Sequence, residues 1–271
     1  PESRFLNALA IIAARRNDLV AVLAHSQQAT RLRRELGDRR NEAIGLSTLG
    51  GGWLELGDFA QARRDLAECL RLHRAMGDRA LEPIALANLS QLALWEGDPQ
   101  GACEQARAAA AVALDVQAPD LQAFALWCLG NAQLALGAPA SAREAFAQAL
   151  AAAQAIGGAQ AHDAAAGLAR AALADGDAAA AREALAPVVQ ALDARDALDG
   201  TLGLTLVQLT VWQVLSAAGD ARARPWLQQA HAALQERAAQ LTDPVLRASF
   251  LERVPPNRAL LSAWAAVANA G

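Results

Sequence analysis

At 271 residues, with apolar side chains making up 54% and a formal net charge of −4, the chain can bury a large core. The charge is unevenly spread: residues 1–80 hold 13 Arg against 10 Asp/Glu, whereas the remainder holds 11 Arg against 18. Every basic residue is arginine, which excludes any chemistry that needs a P-loop, Schiff-base or kinase-type lysine.

From the N-terminus, turn residues recur as Asn17, Gly57, Gly97, Gly137, Gly176 and Gly219, at gaps of 40, 40, 40, 39 and 43. A second series lies between them: Gly37, Gly77, Gln117, Gly157 and Asp196. Two interleaved series predict two helices per unit, each of about 17 residues plus a short turn. Glycine closes a helix because the left-handed conformation carries no Cβ penalty there, and asparagine is the next best choice. Asp18, Asp58, Asp98, Asp177 and Asp220 follow as N-caps, and Pro99 and Pro139 stand at the first helical position. Ala62, Ala102, Ala142 and Ala181 allow close helix approach, with Leu66, Phe146 and Leu185 supplying bulk.

The expectation is an all-α fold: a right-handed α-solenoid of about six helical hairpins, each buried only by its neighbours. The units are 2–38, 39–78, 79–118, 119–158, 159–196 and 197–240, followed by capping helices over 241–271. Four features strain the pattern. Pro187 falls mid-helix, and Pro83 and Pro225 fall a turn inside their helices. Gly50, Gly51 and Gly52 interrupt a helix at roughly 1 kcal/mol each relative to alanine; only Gly50 has an evident packing reason.

Leu49-Gly50, Gly57, Phe59 and Ala62, and then Leu129-Gly130, Gly137 and Ala142, resemble the tetratricopeptide repeat. Ala169 and Trp212 replace the first-helix glycine in later units, and the period is about 40 residues instead of 34. This resembles the longer-repeat branch in bacterial signalling ATPases and transcription regulators. The segment from Leu241 to Trp264 resembles the closing segment of such regulators, some of them cyclase-linked, which implies an upstream nucleotide-binding ATPase module. Phe250, Leu251, Leu260, Leu261 and Trp264 are expected to cover the open end. Because the sequence opens on Pro1, it is expected to be a piece of a longer chain or a processed product.

No catalytic constellation emerges, and no enzyme activity, cofactor or metal is expected. His25, His73, His162 and His231 lie in different units without ligand spacing. Cys69, Cys103 and Cys128 form no CxxC pair and are read as small apolar fillers in a reducing cytoplasm. The run Arg31 to Arg40 is interleaved with Glu35 and Asp38, as in a solvated helix face with i,i+4 pairs. No uncharged apolar run is long enough to span a bilayer, the arginine run has no aromatics beside it and the C-terminal two-thirds is acidic, so neither membrane nor nucleic acid is an expected partner.

Solenoids of this kind bind on the concave face, lined by first helices. Six residues before each turn stand Ile11, Gly51, Gln91, Asn131, Arg170 and Gln213. Asn88, Gln91, Trp95, Trp127, Asn131 and Arg170 are read as one partner-binding patch: amides to hold an extended backbone, indoles for flat contact, Arg170 for a carboxylate. The competing reading of these positions is a plain solvated row. The expected partner is a protein or peptide, including the ATPase module of the parent chain. The alternative is a small-molecule receptor, with Trp95 and Trp127 walling a pocket near Gly51.

Overall fold

The computed structural model describes residues 2–15, 19–193, 198 and 200–269, and among them it contains α-helices and no strand. In chain order the helices are α1 (Glu2–Arg15), α2 (Leu19–Glu35), α3 (Arg39–Glu55), α4 (Phe59–Met76), α5 (Glu82–Trp95), α6 (Pro99–Asp115), α7 (Pro119–Ala135) and α8 (Pro139–Ala155). They continue as α9 (Gln160–Ala174), α10 (Ala178–Asp193), α11 (Leu204–Ala217), α12 (Ala223–Gln240), α13 (Pro244–Glu252) and α14 (Pro255–Asn269). Consecutive helices pack as antiparallel pairs along the stack.

The turns form for the reasons the sequence offers. Gly57 closes α3 at φ +77°, and Gln117 adopts φ +55° at the matching position after α6. Asp58 accepts a bond from the Gln61 N–H at 3.0 Å, Asp98 from Gly101 at 2.9 Å, Asp177 from Ala180 at 2.9 Å and Asp220 from Arg222 at 2.9 Å. Asp38 and Asp78 cap in the second series of turns as well, each at 3.3 Å. The expected turn and cap at Asn17, Asp18 and Asp196 lie outside the described residues.

The strained features resolve locally. A 3-10 turn over Arg79–Leu81 delays α5, so Pro83 falls in its first turn; Pro225 likewise stands in the first turn of α12. Proline is harmless there because those N–H groups lack helical partners. Pro187 lies inside α10, which continues through it.

The glycine triplet has two packing reasons. A Cβ at Gly50 would meet Leu66 Cδ2 at 2.6 Å, and one at Gly52 would meet Leu23 Cδ2 at 2.9 Å. Gly51 has clearance, its nearest neighbour being Asn88 Oδ1 at 3.9 Å. The same device recurs farther on. Phe146 of α8 is fully buried between α7 and α9, and a Cβ at Gly130 or Gly167 would strike its ring. Glycine on a first helix thus admits a bulky side chain of a second helix.

The C-terminal helices do more than end the stack. Phe250 and Leu260 are buried, and Leu251, Leu261 and Trp264 pack beside them. The same apolar cluster includes Leu49 and Leu56 of the second hairpin. Ser249 Oγ donates to the Gly57 carbonyl at 3.0 Å across 192 residues of sequence, and the Arg253 guanidinium lies 5.0 Å from the centroid of the Phe59 ring. The end of the chain therefore folds back onto the turn between α3 and α4.

The arginine run is solvent-exposed as expected except at Arg33, but its pairs do not run i,i+4. Arg33 is buried, and its Nη1 donates to the Asn41 carbonyl at 3.0 Å. Arg34 pairs with buried Glu42 at 2.6 Å, and Arg40 with Asp78 at 2.9 Å. These contacts join α2 to α3, and α3 to the turn after α4, instead of running i,i+4 along one helix. No described helix is long and apolar enough to cross a membrane.

Candidate functional site: the inner face of the first helices

The first helices touch one another in sequence: α3 meets α5, α5 meets α7, α7 meets α9 and α9 meets α11. The second helices α4, α6, α8 and α10 are not in comparable contact. A stack whose first helices converge while its second helices splay is curved, with the first helices on the inside. Around α7, α9 and α11, side chains six (Arg170, Gln213), three (Leu134, Leu173) and two (Ala174) residues before the turn glycine surround an opening near the C-terminal turns.

On that face Arg170 of α9 and Asn131 of α7 are joined: Arg170 Nη2 donates to Asn131 Oδ1 at 2.6 Å. Asn131 is 8% exposed, and the Arg170 guanidinium lies 5.5 Å from the centroid of the Phe146 ring. Burial pushes the Arg170 pKa down to about 10, against the opposing charge of Asp163. Among the described residues no carboxylate oxygen lies within 4.0 Å of its guanidinium, and its Nε has no acceptor. Beside it opens a hollow of about 450 Å³ lined by Leu134, Arg170, Leu173, Ala174 and Gln213.

The six expected side chains do not form one patch. Asn88, Gln91 and Trp95 lie together on α5; Asn88 is buried against Gly51, and Gln91 is partly exposed. Trp95 is partly buried, with its ring centroid 6.1 Å from that of Phe59 in a cluster with Leu54 and Leu92. Asn131 and Arg170 form the bonded pair one and two units farther on.

Trp127 corrects the expectation. It is 3% exposed, stacked near Phe124 at 6.2 Å and set in the core, so it offers no contact surface to a partner. It is covered by the segment leading into α11: a Cβ at Gly203 would lie 3.1 Å from Trp127 Cζ2. Trp95 and Trp127 consequently belong to different clusters and share no pocket. The side chain of Ile11, first in the polar row, lies outside the described residues.

Leu134, Leu173 and Gln213 were not singled out from the sequence, although Gln213 stands in the same row as Asn131 and Arg170 and the two leucines stand three before their glycines. Asp163 was also missed as a structural group. It is 1% exposed and accepts from the N–H groups of Leu202 at 2.8 Å and Gly203 at 2.9 Å. Burial raises its pKa to about 7, opposed by those two backbone bonds. The cysteines are buried and burial raises their thiol pKa values, Cys69 to about 12. Such thiols are poor nucleophiles and poor metal ligands. No group of three or more potential metal ligands comes together among the described residues.

No family model and no curated protein matches the sequence. Solved structures do. A Rap protein complexed with competence and sporulation factor superposes with a TM-score of 0.72 at 14% identity, over 98% of this chain and 76% of that one. BtubC (BKLC) from P. vanneervenii gives 0.58 at 20% identity, over 83% and 93%. A signal transduction ATPase with a tetratricopeptide repeat sensor from Pyrococcus horikoshii gives 0.57 at 16% identity, over 95% of this chain but 40% of that one. At these identities the likeness is one of fold, and it agrees with the paired helices, the glycine-admitted second helices and the converging first helices. In its fold the chain is a tetratricopeptide-like helical repeat domain.

Proposed function

We propose that the chain is a non-catalytic interaction module that holds a peptide or protein segment on its inner face, as the regulatory repeat region of a larger bacterial signalling protein in the cytoplasm. The observation that carries this reading is the Arg170–Asn131 pair beside an open hollow, on the face formed by converging first helices. A fold neighbour complexed with competence and sporulation factor, and another described as a sensor within a signalling ATPase, support it. Six hairpins ending at residue 240 and a cap from 241 onward form the unit in this reading. Asn88, Gln91 and Trp95 extend the face toward the second hairpin, where amides can pair with an extended backbone.

The test is a peptide selection followed by calorimetry on the selected sequence. Gln91→Ala combined with Asn131→Ala is expected to weaken binding at least tenfold, equivalent to about 1.4 kcal/mol. Unchanged affinity in a folded double variant would remove the inner face from the account. The second reading is a metabolite receptor, although the hollow of about 450 Å³ is shallow and open to solvent, unlike the enclosed pockets that bury most of a small ligand. A metabolite screen by thermal shift separates the two.

A further inference from the structure

The turn glycines that close the first helices all stand in the left-handed region, but Gly57 has a second reason to be glycine. A Cβ at Gly97, Gly137, Gly176 or Gly219 would find nothing within 4 Å, whereas one at Gly57 would lie 2.7 Å from the Ser249 carbonyl oxygen and 3.1 Å from its carbonyl carbon. The C-terminal segment meets the residues around this turn as well. Ser249 Oγ donates to the Gly57 carbonyl at 3.0 Å, and the Arg253 guanidinium lies 5.0 Å from the centroid of the Phe59 ring. Leu56 shares an apolar cluster with Phe250, and the charge of Arg237 on α12 acts on Glu55.

In a stack of hairpins each unit is held by its immediate neighbours, and the curvature is the sum of small rotations at each interface. A contact from the C-terminal helices to the second hairpin skips the units between them and fixes that sum. α14 packs along α11 and α12, and α13 along α12 and α14, so the C-terminal helices belong to the last hairpin. They reach the second hairpin through one neutral hydrogen bond, one guanidinium–ring contact and part of one apolar cluster. Without this contact the second hairpin keeps its packing on α2 and α5, and the last hairpin keeps its packing on α9 and α10. Such a contact can open without unfolding either side.

We propose that Ser249 and Arg253, seated on the turn from Gly57 to Phe59, form a clasp that closes the curve of the stack, and that its release flattens the curve and widens the inner face to admit a partner. The clasp stands on the fold alone; the admission of a partner rests on the inner-face reading above.

The test compares Gly57→Ala with Gly77→Ala and Gly97→Ala. All three place alanine at a φ between +66° and +90°, so backbone strain is matched, and only the first drives a methyl group into the Ser249 carbonyl. Small-angle scattering on Gly57→Ala is expected to give a radius of gyration roughly 1 Å or more above that of the unaltered chain, on a compact value of about 18 Å. Both controls should match the unaltered chain. Amide exchange of α13 should rise in Gly57→Ala while that of α7 and α8 stays level. Hydroxyl-radical oxidation of Leu134 and Leu173 on the inner face, normalised to exposed Leu36, should rise roughly twofold. Ser249→Ala combined with Arg253→Ala removes the polar contacts without adding a clash. It should move all three readings the same way by a smaller amount, and it decides the matter if Gly57→Ala fails to fold.

A folded Gly57→Ala protein with the shape and exchange of its controls, or a double variant with those of the unaltered chain, overturns the clasp. Expansion without a rise in oxidation at Leu134 and Leu173 overturns its control of access. Failure of the inner-face reading shows separately, as unchanged affinity in the Gln91 and Asn131 double variant, and leaves the scattering result standing.

Discussion

The two halves of the inner face across α7, α9 and α11 are built oppositely. Toward the N-terminal ends of these helices the face is closed. Residues 200–206 lie over it, Leu202 and Leu206 pack on the core around Trp127, and Asp163 ties down the backbone at Leu202 and Gly203. Toward the C-terminal turns the face is open, with Arg170, Gln213, Leu134 and Leu173 around a hollow. Each half holds one charged side chain, Asp163 at 1% exposure and Arg170 half-buried. Asp163 takes two backbone N–H groups and serves to fasten, whereas Arg170 bonds Asn131 and borders the hollow. Arg237 likewise has one neutral acceptor, Thr205 at 2.6 Å, and lies 5.6 Å from the centroid of the Phe250 ring, so what distinguishes Arg170 is the open hollow beside it and not its count of partners.

The largest test removes what lies beneath Arg170. Phe146→Ala leaves a void between Gly130 and Gly167 and should cost about 3–5 kcal/mol, read by chemical denaturation. A cost below about 1 kcal/mol would mean that the helices collapse into the space and that the wedge is dispensable. Next, Asp163→Ala should cost about 1–3 kcal/mol for each backbone donor it strands. Hydrogen exchange should then rise at Leu202 and Gly203, exposing Trp127, while the amide exchange of α3 and α4 stays unchanged.

The smallest effect is on pH dependence. The Asp163 pKa in the fold is about 7, above the ordinary value of 3.8, so its protonated form favours the folded state. That contribution is complete below about pH 4 and is lost as pH rises through about 7. Asp163→Asn should therefore flatten the fall in melting temperature between about pH 4.5 and 7.5 relative to the unaltered chain. Parallel profiles for the two proteins would show that the carboxyl titrates in its ordinary range.

Much of the fold was legible because its punctuation is local. A helix ends at Gly57 or begins at Asp98 through bonds spanning three or four residues, so the period could be read directly from the chain. The site was legible only in part. Asn131 and Arg170 could be found because equivalent positions repeat every 39 or 40 residues and a polar row stands out among Leu and Ala. That Asn131 is spent on Arg170, and that Asn88 is buried against Gly51, depends on the spacing between neighbouring helices, which periodicity does not specify.

The sequence by itself determined the helices, their caps, the two-helix period and the candidate polar row, because each follows from backbone preferences and hydrogen bonds within a few residues. Tertiary structure alone decided that Trp127 is core, that Asp163 is a fastener and that Ser249 returns to Gly57. Those outcomes depend on segments 39 to 192 residues apart in the chain meeting in space, and the curvature that brings them together accumulates from every interface in the stack.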